Sequence, residues 1–434
     1  MKMGYLKINA ALISAFIERW RPETHTFHLR CGETTITLQD VSVLLDLRTN
    51  RTPLIGSTNL DWADLCEKLL GVRPHKGELE GSVVKLSWLA HHFSHINIDE
   101  GNVEQLQRFI RAWILRFIGG VLFVNKSSSR VSLRYLQFLR DFEQCSTYAW
   151  GLAVLAYLYR KMCSATDYKV KSIGGVCILI QMWAWERCTT LTPKRMPPVI
   201  ENKPLGHRWL RQGNQHIGND DLRVFLRKLD LIKRHEEPYT TTVMATLPQI
   251  CVVGSVAWFA VVPLICFHVV EWHQPDRVLQ QFGLQKPIPG CPSQPQNLHG
   301  ITLKGKQDEN WFHLLAPIIS QWNNRAEFRV DVYPRQEGLL GHHTDTSASE
   351  HSFGGVAETQ SHFSWPTMTP SQQHDAPMAT PNAPFALQWN VPEAIPHMGD
   401  LLGVDLRQEF SAEAEQAEAG RQRGRRNPDR QARR

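Results

Sequence analysis

Ile8, Leu12, Ile13, Phe16, Ile17 and Trp20 recur at the three- and four-residue spacing of one helix face, and Pro22 ends the run because proline carries no amide hydrogen to continue the ladder. Thr26–Thr37 follows with β-branched residues on either side of Cys31-Gly32-Glu33, the pattern of a short hairpin whose turn uses glycine. Thr37-Leu38-Gln39-Asp40 is a capping-box sequence, and Val41, Leu44, Leu45 and Leu47 give the next helix an apolar face.

The same periodicity predicts helices over Asp61–Leu70 (stopped by Gly71), Val83–Phe93, Val103–Ile118, Leu133–Phe142, Tyr148–Met162, Val176–Trp185 and Asp221–Ile232. Pro275 and Asp276 open a short helix that Gly283 closes. Trp311, Leu314, Leu315, Ile318, Ile319 and Trp322 form one apolar stripe with Asp308 as its cap. Strand-like alternation is scarce, and no period of 20–50 residues marks a solenoid. The expected fold class is mainly α: a helical globular domain with a small N-terminal β-hairpin.

Composition changes at Pro334. Beyond it there is neither Cys nor Lys, and residues 335–434 hold only 14 Ile, Leu, Val or Phe, too few for burial to offset chain entropy. Twelve of the 14 Trp and all nine Cys precede that point. The expected organisation is a folded unit over residues 1–333 and a disordered Pro/Gln/His/Ser-rich tail over 334–434 ending in an Arg-rich segment. Within the tail, Ile395, Met398, Leu402 and Leu406 have the spacing of a short helix that forms on a partner.

Charge sharpens this division. The net charge of +6 is all contributed by residues 421–434, where seven Arg oppose Asp429, so residues 1–420 are neutral. A neutral body argues against a strongly basic nucleic-acid-binding domain. The tail, including Arg421, Arg423, Arg425 and Arg426, has the composition of a nuclear-import or polyanion-binding segment. The body's densest basic stretch, Lys203–His235, carries a net +5. In it Arg208, Arg211, Arg223, Arg227 and Lys228 are candidate nucleic-acid contacts, with Trp209 as a stacking surface.

Nine Cys without any C-x-x-C pair fit neither a disulfide framework nor a zinc ribbon and point to a reducing compartment. The semi-apolar run Ile8–Ile17 leads into Glu18-Arg19-Trp20-Arg21-Pro22 where a signal peptide would place small residues. Cys251–Val270 is twenty residues without Asp, Glu, Lys or Arg, long enough to span a bilayer. Its eight Val or Ile, Pro263 and His268 instead mark a buried core segment, and no membrane association is expected.

Catalytic signatures are missing. Gly300–Lys306 has the spacing of a phosphate-binding loop, but Gln307 stands where the magnesium-binding hydroxyl belongs and no apolar strand precedes it. His25, His28 and Cys31, and likewise His91, His92 and His95, are donor types without a diagnostic spacing; residues three apart on a strand face opposite sides. Metallophosphatase motifs, a nucleophile elbow and a pyridoxal-phosphate scaffold are likewise absent. The sequence assigns no cofactor, no metal and no catalytic residue.

Three segments carry a family resemblance. Leu12–Leu47 (LISAFIERWRPETHTFHLRCGETTITLQDVSVLLDL), Gly174–Cys188 (GGVCILIQMWAWERC) and Val262–Leu284 (VPLICFHVVEWHQPDRVLQQFGL) resemble, in order, the signatures of the plant mobile domain, also called aminotransferase-like. Asp46-Leu47-Arg48 departs from the Gly-Leu-Pro turn common in that family, and Gln280 from a frequent basic residue. The resemblance implies a mainly helical domain shared by transposable elements and nuclear host proteins of the MAINTENANCE OF MERISTEMS-like group. Those act in meristem maintenance, genome integrity and transposon silencing, with a plant protein phosphatase 7-like partner, and no catalytic residues are established for the domain. The expectation is therefore a non-catalytic nuclear interaction module with Trp209, Trp272 and Arg277 as candidate partner anchors. The alternative is a nucleic-acid-binding protein derived from a mobile element, and neither a transaminase nor a phosphatase is expected.

Overall fold

The computed structural model describes residues 8–95, 102–127, 129–193, 196–210, 221–232, 239–286, 288, 301–303, 306 and 308–331. The first helix, α1 (Ala10–Arg19), is capped by the Asn9 side chain on Leu12 N and buries Leu12, Ile13, Phe16 and Ile17. Trp20 leaves the helix as the start of β1 (Trp20–Arg21), which pairs with β2 (Thr26–Leu29), itself paired with β3 (Gly32–Thr34). The expected hairpin is thus the edge of a three-stranded antiparallel sheet. Helix α2 (Leu38–Leu45) opens with the complete capping box, Thr37 and Asp40 each bonding the other's backbone.

Helix α2 ends at Asp46, whose φ of 57° is left-handed. Glycine adopts that region without penalty, which accounts for the Gly usual there in the resembling family. Asp46 instead accepts a hydrogen bond from the Cys251 thiol. Helix α3 (Trp62–Leu70) begins on an Asp61 cap and closes at Gly71, with φ of 76°. The stretch expected as one helix over Val83–Phe93 divides in two. Val83–Lys85 forms β5, between β4 (Leu79–Glu80) and β6 (Arg130–Ser132), and only Leu86–His92 is helical, as α4. β-Branched Val83 and Val84 favour the extended state, and the partner strands satisfy their backbone groups.

Helix α5 (Val103–Phe117) runs on into a π-turn over Ile118–Leu122, and Leu133–Leu139 is a 3-10 helix rather than the predicted α-helix, followed by the short α6 (Phe142–Cys145). Helix α7 (Trp150–Ala165) is the axis of the molecule, buried over most of its length. It packs on α2 and on a long hairpin, β7 (Val262–Cys266) and β8 (Val269–His273), with Val262 opposite His273 and Cys266 opposite Val269. Helix α8 (Cys177–Arg187) lies beside α1 and α2.

Its approach is set by Gly174 and Gly175. The Gly175 amide bonds Val124 O at 2.8 Å, and a Cβ on Gly174 would lie 2.4 Å from that same oxygen. The short α9 (His207–Leu210), α10 (Leu222–Asp230), α11 (Thr241–Thr246) and α12 (Gln249–Val252) follow, with α10 lying along α1.

The apolar run from Cys251 is α12, a 3-10 turn and the β7–β8 hairpin, with both strands wholly buried. Among the described residues no helix is long and apolar enough to cross a membrane. The predicted terminal helix is broken: α13 (Trp311–Leu314) is capped by Asn310 rather than Asp308, and α14 (Ala316–Asn323) starts afresh because Pro317 interrupts the ladder. Trp311, Leu315 and Trp322 are buried, whereas Leu314 is exposed. The protein is mainly helical with small antiparallel sheets. The tail expected over 334–434 lies outside the described residues.

Candidate functional site

Several polar residues of the three signature segments, among them Asp40, Arg187, Glu271 and Gln281, are buried and meet one another inside the fold. Asp40 of α2 accepts a hydrogen bond from Arg187 Nε at the end of α8 (2.9 Å), a second from the Tyr239 hydroxyl (2.8 Å) and a third from the Thr37 amide (2.8 Å). The same guanidinium donates to Gln281 O at 2.6 Å and lies 4.6 Å from the Tyr239 ring centroid. Gln281 in turn clasps the end of the first sheet. Its amide oxygen accepts from Thr34 Oγ1 and its amide nitrogen donates to Thr35 O. One arginine and one glutamine therefore fasten α2, α8 and the turn after β8 together.

A second cluster sits under β8. His25, held at a φ of 52° in the turn before β2, places Nδ1 3.0 Å from Trp272 O and Nε2 2.9 Å from Glu271 Oε2. Arg160 of α7 pairs with Glu271 and donates to Val270 O, and the Trp20 indole donates to Cys163 Sγ at 3.2 Å. His25, Cys163 and Glu271 offer three donor atoms within 4.8 Å of one another, all buried. This trio has the donor types of a transition-metal site. Here, however, the carboxylate charge is met by Arg160, and burial pushes the Cys163 thiol up, away from the thiolate a metal requires. The chemistry is that of a hydrogen-bonded ionic lock.

Sequence reasoning treated His25 and His28 as ordinary polar histidines and missed this cluster, because its members are 138 and 246 positions from His25 in the chain. The two histidines do not converge: His28, on the central strand β2, stands 3.4 Å from Glu33 on β3. Burial alone would raise the Glu33 carboxyl, but hydrogen bonds from Arg277 and Lys286 hold it below its ordinary value.

The candidate partner anchors are internal. Trp209 is 3% exposed with its indole donating to Glu186, Trp272 is 6% exposed inside β8, and Arg277 is committed to Glu33. None presents its side chain as a surface anchor, which corrects the expectation taken from residue type alone. Arg208 is corrected likewise: it is buried against Glu186, which it grips through Nε and Nη2, and it cannot reach a phosphate from there. Arg223 and Arg227 of α10 are exposed and Lys228 partly so. Arg211, Arg421, Arg423, Arg425 and Arg426 lie outside the described residues, as does the helix proposed around Leu402.

The chain belongs to the plant mobile domain family, which it matches over residues 1–341. Among curated relatives from Arabidopsis thaliana, it is 42% identical to Serine/threonine-protein phosphatase 7 long form homolog over 348 residues, 77% of this chain and 26% of that protein. It is 35% identical to Protein MAINTENANCE OF MERISTEMS over 333 residues, 76% of this chain and 67% of that protein. It is 34% identical to Protein MAIN-LIKE 1 over 66% of this chain and 57% of that relative. The chain thus spans about a quarter of the phosphatase-named relative. No solved structure matches.

Proposed function

We propose that this chain is a non-catalytic protein-interaction module of the nucleus, serving meristem maintenance, genome integrity or transposon silencing with a plant protein phosphatase 7-like partner. The observation that carries the reading is the commitment of Asp40 to Arg187, of Glu186 to Arg208 and of Glu271 to Arg160 and His25, all inside the core. Acid–base and nucleophilic catalysis needs such groups convergent at an accessible cleft. The phosphatase name belongs to a relative of which this chain covers only 26%, so the name is consistent with an activity carried elsewhere in that protein. The relative named for meristem maintenance shares 67% of its own length with this chain, which supports the domain itself as the working part.

The surface that takes the place of the buried anchors is on α10. Arg223, Arg227 and Leu231 recur at i, i+4 and i+8 and are all exposed, Leu231 to 67%. This stripe of two cations and one apolar side chain suits an acidic partner helix. It also favours the second reading, a nucleic-acid contact inherited from a mobile element.

Fluorescence anisotropy of the full-length protein separates the two. Specific binding to a purified phosphatase 7-like protein, lost in Arg223→Glu/Arg227→Glu/Leu231→Ser, supports the interaction module. Binding to duplex DNA that falls about tenfold or more between 50 and 200 mM salt, with no protein partner bound, replaces it by the second reading. A fluorescent fusion excluded from plant nuclei would remove the nuclear part of the proposal.

A further inference from the structure

A pocket of about 190 Å³ opens between the turn joining β7 to β8, the sheet formed by β5 and β6, and α7. Its floor is apolar and buried, formed by Phe123, Val131, Tyr135 and Phe267, while its rim is polar and partly exposed, formed by Asn125, Arg130, Arg134 and His268. Among the described residues no Asp or Glu lines it. Arg130 is paired outward with Glu80, but Arg134 bonds only hydroxyls through Nε, those of Ser82 and Ser132, and lies 5.8 Å from the Phe267 ring centroid.

The titratable groups facing Arg134 are Tyr135, Tyr157 and Cys266, all uncharged at neutral pH. Lys161 stands over the outer ring, its Nζ 4.7 Å from the Tyr157 centroid. His268 Nδ1 is buried without a hydrogen-bond partner, and burial together with Arg134, Arg160 and Lys161 pushes the ring's pKa down to about 4.

Among the described residues Arg134 is thus a half-buried cation with no carboxylate partner, beside a neutral His268 and above an aromatic floor. Taking a cation out of water without an anion is costly, and a planar guanidinium is matched by a carboxylate. A dry cavity of about 150 Å³ suffices for benzene, so this one admits a ring bearing a short acid group. We propose that the pocket binds a small aromatic carboxylate, with its ring on the Phe123–Tyr135–Phe267 floor and its carboxylate against Arg134 at the rim. The site is separate from α10 and does not depend on the interaction reading.

The test is titration calorimetry on the full-length protein with phenylacetate, its neutral counterpart 2-phenylethanol, and inorganic phosphate. Phenylacetate is expected to bind saturably with a Kd of about 0.1–1 mM and 2-phenylethanol about tenfold or more weaker. Arg134→Gln should weaken phenylacetate about tenfold, and Arg223→Gln on α10 should leave it unchanged. No saturable phenylacetate binding up to about 10 mM, equal binding of the alcohol, or binding of phosphate alone would each overturn the proposal. If Arg134→Gln fails to fold, the acid–alcohol comparison on the unaltered chain decides.

Discussion

Replacing Arg187 by alanine tests whether the interior lock holds the fold. The arginine side chain is 1% exposed and Asp40 is fully buried, so the change leaves a carboxylate in the core with only Tyr239 and Thr37 donating to it. It also removes the donor to Gln281 O and the cation stacked on Tyr239. Breaking one partner of a buried ion pair costs about 3–5 kcal/mol. Against a domain stability of about 5–15 kcal/mol that is a large fraction, and at roughly 2–4 °C per kcal/mol the melting temperature falls by about 6–20 °C.

Arg187→Lys keeps the charge but loses the fork that reaches Asp40 and Gln281 together, so it should fall between. The assay is urea unfolding followed by tryptophan fluorescence, with a cycle through Asp40→Asn and the double variant. The Asp40→Asn change keeps an acceptor for the Thr37 amide while removing the stranded charge, so the double variant should be more stable than the sum of the single losses implies, by about 1–3 kcal/mol. A loss under about 1 kcal/mol in Arg187→Ala, or strict additivity in the cycle, would refute the lock.

Gly174→Ala drives a Cβ to 2.4 Å from Val124 O and should cost about 1–3 kcal/mol, read as a lower urea midpoint. His273, buried and bonded to Ala260 O, is pushed by burial from 6.5 down to about 4. The unfolded chain therefore binds the extra proton between those values. Stability from this group is complete above pH 6.5 and falls by about 1.4 kcal/mol per pH unit as the pH drops toward 4, a slope that His273→Gln should make shallower in unfolding curves at pH 5 and 7. Of the eight described thiols only Cys31 is not buried, and burial pushes Cys66 up to about 12. A thiol-specific dye on the native protein should therefore label Cys31, with the seven buried thiols reacting only after denaturation.

Local features were legible because their causes are local. The capping box at Thr37–Asp40, the Asp61 cap and Gly71 stop of α3, and the Pro275–Gly283 turn each depend on side chains within a few residues of the backbone they satisfy. Errors arose where distant neighbours decide. Val83–Lys85 is a strand because β6 comes alongside; the break at Pro317, by contrast, has a local cause that the continuous hydrophobic period hides. The candidate site fared worse, again because distant neighbours decide. Trp209, Trp272, Arg208 and Arg277 are residue types that anchor partners or phosphates when exposed, and exposure is a property of the packed chain.

The sequence by itself determined the helical class, the element boundaries set by caps and breakers, the family, and the basic end of the tail, since periodicity, capping chemistry and charge need no distant contact. Only the tertiary structure decided that Asp40 meets Arg187 across 147 positions and that His25 meets Cys163 and Glu271. It alone gathered Arg134 and His268 around one pocket. Burying a charge is tolerable only beside a partner, and which partners come together is fixed by how α7, α8 and the β7–β8 hairpin pack, a relation no local pattern encodes.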